Sequence, residues 1–234
     1  MNDLMTNIEE LRRKYYAAYN ILNEVYGQPV WESVGDPLDV LVGTILSQAT
    51  SDINSERAMA KLQARYPDWY SVMDAPPEDV VDAIRSSGLA NIKGPRIQNT
   101  LRYIYRERGE LALNFLADLS PAEALNWLTK IDGVGPKTAS IVLLFSLGRN
   151  AFPVDTHVHR VTGRVGLIPP RMSAEKAHVF LAELGTPDTY YPFHMNLIRH
   201  GREICHARGP ECEICPINQL CDYYHNVFLP AHEA

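Results

Sequence analysis

Residues 131–139 read Ile131-Asp132-Gly133-Val134-Gly135-Pro136-Lys137-Thr138-Ala139, between a helical pattern ending near Lys130 and a very apolar one from Ser140 to Leu147. Two glycines within three residues let the backbone take positive φ and let another molecule approach closely. Pro136 stands where a helix-opening proline belongs. The expected product is a tight helical hairpin. The amides of Gly133, Gly135 and the following first turn would point outward at a positive helix end, which is an anion site. Phosphate contact of this kind fixes register without reading sequence. On these residues alone, an ordinary helical hairpin that needs glycine only for its turn is an equal reading.

Outward from this stretch, apolar residues recur at helical spacing and strand signals are nearly absent. Leu4, Ile8, Leu11, Tyr15, Ala18 and Leu22 make one face of an N-terminal helix. Asp36-Pro37 reads as a cap with proline at the first helical position, opening Leu38 to Gln48. Ser120-Pro121-Ala122-Glu123 is a capping box, and Ser173 caps a further helix over Ala177, Phe180 and Leu181. The class is all-α, with about ten short helices.

The chain has 234 residues, 46% of them hydrophobic and 21% charged, which excludes a disordered or fibrous protein. No apolar run approaches the ~18 residues of a membrane span, and the expectation is a soluble cytoplasmic monomer. The net charge of −6 alone argues against a nucleic-acid partner. Its distribution does not: residues 1–84 carry a net −8, residues 85–208 a net +6 and residues 209–234 a net −4.

All four cysteines fall within 17 residues, as Cys205-x6-Cys212-x2-Cys215-x5-Cys221. Disulfides do not suit a chain with an ample core and no sign of secretion. Zinc prefers two separated C-x2-C knuckles, and only one is present. Four closely spaced cysteines suit an iron–sulfur cluster, with zinc left open by the residues themselves.

Residues 154–161 read Val154-Asp155-Thr156-His157-Val158-His159-Arg160-Val161. Together with the glycine hairpin, this segment resembles the endonuclease III family of helix-hairpin-helix DNA glycosylases. The resemblance puts that family's catalytic pair at Lys137 and Asp155, eighteen residues apart. The chain can make that return: eleven helical steps carry it about 16 Å out, and seven extended steps bring it back by up to ~23 Å. Asp155 also precedes the pattern Val158, Val161 and Val165, so a plain N-cap competes with catalysis. The cysteine spacing, after His200-Gly201-Arg202, resembles the family's cluster loop and implies a 4Fe–4S cluster held by Cys205, Cys212, Cys215 and Cys221.

Two further segments carry the resemblance. Leu46-Ser47-Gln48-Ala49-Thr50-Ser51-Asp52 resembles the region that fills the gap left by an extruded base. Matched on Gln-Ala-Thr the filler is Gln48; matched on Leu-Ser it is Ala49, which is too short for a base-sized gap. Gly88-Leu89-Ala90-Asn91-Ile92-Lys93 resembles a second intercalating loop, with Leu89 as wedge; a helix end with a staple leucine competes. Implied DNA contacts are Gln48, Leu89, Lys93, Gly133, Val134, Gly135 and Arg208. Beside Arg208, the residues Gly209, Pro210 and Glu211 make the first cysteine loop less basic than the family role asks. Lys93, Arg96, Lys137, Arg160, Arg164, Arg202 and Arg208 are expected to line one groove; because the hairpin holds phosphate partly through uncharged amides, the expected salt slope is a modest −3 to −5, roughly, in log K against log salt.

The fold implied is a six-helix barrel over residues 30–149, with the helix-hairpin-helix at about 125–147. It is inserted in an iron–sulfur cluster domain built from 1–29 and 150–234, with the active site in the groove between. The implied function is base-excision repair: a bifunctional DNA glycosylase and AP lyase removing damaged, oxidised pyrimidines from double-stranded DNA, acting at the nucleoid. Two alternatives compete. A monofunctional mismatch glycosylase would lack the hairpin lysine and carry a C-terminal domain, for which the thirteen residues after Cys221 leave no room. A non-catalytic DNA-binding iron–sulfur protein would not need Lys137 and Asp155 together.

Overall fold

A computed structural model describes the backbone of residues 2–232 and the side chains of residues 8–232, so Leu4 lies outside the described side chains. Helix α1 (Asn2–Tyr26) is followed by α2 (Pro37–Ser47), α3 (Asp52–Arg65), α4 (Trp69–Asp74), α5 (Pro77–Ala83) and α6 (Ala90–Arg108). Then come α7 (Pro121–Thr129), α8 (Pro136–Ile141), α9 (Thr156–Val165), α10 (Ala174–Leu184), α11 (Pro187–Glu203) and α12 (Leu229–His232). Among the described residues there is no strand, and no helix is long and apolar enough to cross a membrane. The chain is all-α. It divides into two compact units, residues 33–149 and residues 1–32 with 150–234.

Local chemistry accounts for the helix starts. Asp36 accepts the Leu38 amide at 2.8 Å with Pro37 at the first helical position. Ser120 and Glu123 form the reciprocal capping box, and Ser173 accepts from the Lys176 amide. Such caps satisfy amides that the helix itself cannot, for roughly 0.5–2 kcal/mol each.

In the unit of residues 33–149, α2 is the central element. Leu38, Leu41, Val42, Ile45 and Leu46 are buried there, with Leu62 of α3 and Ile97, Leu101 and Ile104 of α6. The apolar helix expected over Ser140–Leu147 is not a uniform α-helix. It starts at Pro136 and widens into a π-helical segment at Val142–Ser146. The last carbonyls of this helix bond outside it, Phe145 O to Val34 N at 3.2 Å and Ser146 O to Ser33 Oγ at 2.9 Å.

In the other unit, α1 packs on α10 and α11, and α11 packs on α9. Tyr15 is fully buried, with its ring 4.6 Å from that of Phe193 and its hydroxyl 2.9 Å from Thr189 Oγ1. Phe152 joins this cluster, edge-on to Tyr15, Tyr190 and Phe193. The aromatic core thereby anchors the strand-like approach to α9.

Candidate active site

The hairpin forms as the glycines require. α7 ends in turns closed by Ile131 N to Leu128 O and Val134 N to Ile131 O, with Gly133 at φ +76°. Gly135 is the N-cap of α8, and a Cβ built on it meets nothing within 4 Å, so the backbone is open to a close visitor. Pro136 has no N–H, and the amides of Lys137 and Thr138 have no acceptor within the helix. Lys137 is exposed at the second helical position. Val134 departs from expectation. Its side chain is buried and its amide is spent inside the turn, so it anchors the hairpin and offers nothing to DNA.

The two wedge candidates stand at loops with unusual backbones. Gln48 is the C-cap of α2, and its neighbour Ala49 has φ +52°. Leu89 precedes α6 at φ +51° and is 56% exposed. Lys93 corrects the sequence reading. It is only 1% exposed, and its Nζ donates to Leu46 O at 2.6 Å and Ser87 O at 2.7 Å. It therefore cannot face a phosphate. Burial pushes its pKa down. The signal was available: Lys93 shares the helical stripe of Ile97, Leu101 and Ile104, which is the buried face of α6.

Arg96, expected to line the groove, is half-buried. Its Nη1 donates to Gln48 Oε1 at 2.8 Å. Its side chain also covers Gly133, where any Cβ would collide with Arg96 Nε and Cδ. Gly133 thus answers two demands, a left-handed φ and the space taken by Arg96.

In the other unit, Asp155 is the N-cap of α9, accepting the Val158 amide on Oδ1 at 2.7 Å. The cap reading is correct as geometry, and it occupies one of the two carboxylate oxygens. The segment before it is held by buried imidazoles: His178 Nδ1 lies 3.0 Å from Phe152 O and 3.1 Å from Val154 N, and His194 Nδ1 lies 2.9 Å from Pro153 O. Sequence reasoning passed over both histidines.

All four cysteines line one recess with Arg164, His200 and Tyr223. Arg164 donates to Cys205 Sγ at 3.3 Å, His206 O at 2.6 Å and Ala207 O at 3.1 Å. Arg160 donates to Cys205 O at 2.9 Å and Gly201 O at 2.8 Å. These two arginines were expected to face DNA; their guanidinium groups instead brace the cysteine loop. Burial pushes the Cys215 thiol up to about 12 and raises Cys212 and Cys221, with neighbouring thiols adding to the rise. Four thiols gathered in one recess beside an arginine, three of them desolvated, suit a cationic inorganic partner that takes them as thiolates. Among the described residues, no three His, Cys, Asp or Glu side chains converge as a single ion requires. Arg208 is exposed in the loop between the first two cysteines.

Helical hairpin, capped aspartate and four-cysteine recess together define a helix-hairpin-helix repair protein. The family described as HhH-GPD superfamily base excision DNA repair protein matches residues 42–187. Endonuclease III of Thermotoga maritima is 35% identical over 189 residues, 81% of this chain and 84% of its own length. A candidate DNA glycosylase of Arabidopsis thaliana is 39% identical over 186 residues, 80% of this chain; the chain spans only 62% of that protein. A solved structure of a trapped endonuclease III–DNA covalent intermediate matches with a TM-score of 0.78 at 25% identity, covering 92% of this chain and 97% of that one. The chain belongs to the endonuclease III family of this base-excision-repair glycosylase superfamily.

Proposed function

We propose that this chain is a bifunctional DNA glycosylase and AP lyase that removes oxidised pyrimidines from double-stranded DNA. One observation carries the reading: an exposed lysine, Lys137, stands at the helix start leaving the glycine hairpin, where the family's nucleophile falls. Its amine attacks C1′ of the damaged nucleotide, and the C1′–N bond electrons leave with the base. Asp155 balances the positive charge that builds on the sugar and assists proton transfer. The Lys137 nitrogen then gives up a proton, its lone pair opens the C1′–O4′ bond as O4′ takes up a proton, and the open sugar is held as an imine on Nζ. Loss of the proton at C2′ expels the 3′ phosphate by β-elimination.

The hairpin amides, led by the open Gly135, hold a phosphate. Gln48 and Leu89 stand in for the extruded base. Cys205, Cys212, Cys215 and Cys221 hold a 4Fe–4S cluster, whose part is structural because the chemistry needs no redox step. Arg208 meets a phosphate.

Borohydride reduction in the presence of an abasic duplex tests the proposal. Wild-type protein should be trapped covalently, and Lys137→Gln should bind the same duplex without trapping or strand cleavage. Undiminished trapping in Lys137→Gln would assign the nucleophile elsewhere. Base release without any trapping would favour a monofunctional enzyme.

A further inference from the structure

Helix α6 carries two cations three residues apart, and both are committed to loops. Lys93 Nζ bonds Leu46 O, two residues before Gln48, and Ser87 O, two residues before Leu89. Each of these loops contains a non-glycine residue in the left-handed region, Ala49 at φ +52° and Leu89 at φ +51°. Among the described residues, only Arg171 shares that conformation. Backbone of this kind persists only where its surroundings over-determine it. One buried amine is common to both loops. Arg96, the second cation, ties the side chain of Gln48 and covers Gly133 of the hairpin.

We propose that Lys93 and Arg96 are positioning residues that lock the loops at 46–49 and 87–89 and the hairpin turn at Gly133 into one register. Gln48 and Leu89 then meet DNA as a preformed pair. This rests on the repair function proposed above for the same loops. The physical gain is preorganisation, because loops already ordered in the free protein do not lose that freedom on binding. A lysine suits the post: its ammonium offers three donors on a thin stem, and two buried carbonyls accept them. Methionine of similar length offers none and leaves both carbonyls unpaired.

The test compares one abasic site in duplex and in single-stranded oligonucleotide, since a single strand has no stack for the wedges to open. Lys93→Met should cleave the duplex at least ~10-fold more slowly and the single strand within about twofold of wild type. In the free protein, amide exchange at residues 46–50 and 87–91 should accelerate by a similar factor. Equal losses on both substrates, or unchanged exchange in the two loops, would overturn the proposal. If Lys93→Met does not fold, Arg96→Met carries both arms, with exchange read at 47–50 and 132–135. Should wild type cleave neither substrate, the lyase reading fails, and the exchange measurement alone decides the positioning role.

Discussion

Arg96 Nη1 and Gln48 Oε1 are 2.8 Å apart, and this contact fixes the sense of the glutamine amide. A guanidinium has donors only, so the oxygen must face it and the NH2 group must face away. In the gap-filling role proposed for it, Gln48 therefore offers a DNA base a donor. Gln48→Glu keeps the contact with Arg96, now as a charge-assisted pair, and replaces the offered donor by an anionic oxygen. The melting temperature should be unchanged or higher, while excision from duplex DNA falls ~10-fold or more. Thermal melts beside single-turnover excision check both halves, and wild-type excision by Gln48→Glu would remove Gln48 from the gap.

Asp155 separates cap from catalyst. Asparagine caps a helix as well as aspartate, so Asp155→Asn should change unfolding free energy by less than about 0.5 kcal/mol. A carboxylate that balances charge on the sugar has no such substitute, and base excision should fall by about 10²–10⁴-fold. Urea unfolding with single-turnover kinetics is the measurement. Wild-type turnover in a stable Asp155→Asn protein would leave the cap as its whole role.

The features legible in the sequence are those closed within a few residues. The caps at Asp36, Ser120–Glu123, Ser173 and Asp155 pair a side chain with an amide two or three positions on, so spacing alone reveals them. Arg160 and Arg164 bond partners 41 to 45 residues distant, and a charge count treats them as solvated cations. The π-helical widening that follows α8 was equally hidden, and the last carbonyls of that helix bond residues 33 and 34, over a hundred positions back in the chain. Long-range polar contacts leave no periodic trace.

Purified protein should be yellow-brown, with broad absorbance near ~400 nm and about four irons per chain, if the four cysteines hold one cluster. Arg164 braces Cys205 and the two residues after it, so Arg164→Leu should lose iron faster under a chelator while base-excision chemistry on retained holoprotein persists. Colourless, folded protein with one zinc per chain would sink the cluster.

Lys93 also predicts a slope in alkaline stability. Burial lowers its folded pKa, so between that value and the ordinary lysine value near ~10.4 the unfolded chain binds more protons than the folded one. Stability from this group therefore rises with pH across that window. The difference in unfolding free energy between wild type and Lys93→Met should move in favour of wild type from pH 7 to pH 10. A difference that stays flat would mean the amine keeps its ordinary titration in the fold.

Salt dependence tests how an acidic chain grips a polyanion. Of the seven cations the sequence placed along the DNA, Lys93 is buried and Arg160 and Arg164 hold the cysteine loop. Arg96 is engaged with Gln48, and the exposed Lys137 and Arg208 are taken as the phosphate contacts. Each phosphate neutralised contributes about −0.9 to the slope of log K against log salt on duplex DNA. Two contacts give roughly −2, shallower than the −3 to −5 expected from the sequence. Hairpin amides add affinity with little ion release, because they carry no net charge. Arg208→Glu should reduce the slope by about one and weaken every sequence alike. Arg164→Glu should act differently, losing iron before it changes the slope. A measured slope of −5, or none at all, would mean that the exposed cations have been misassigned.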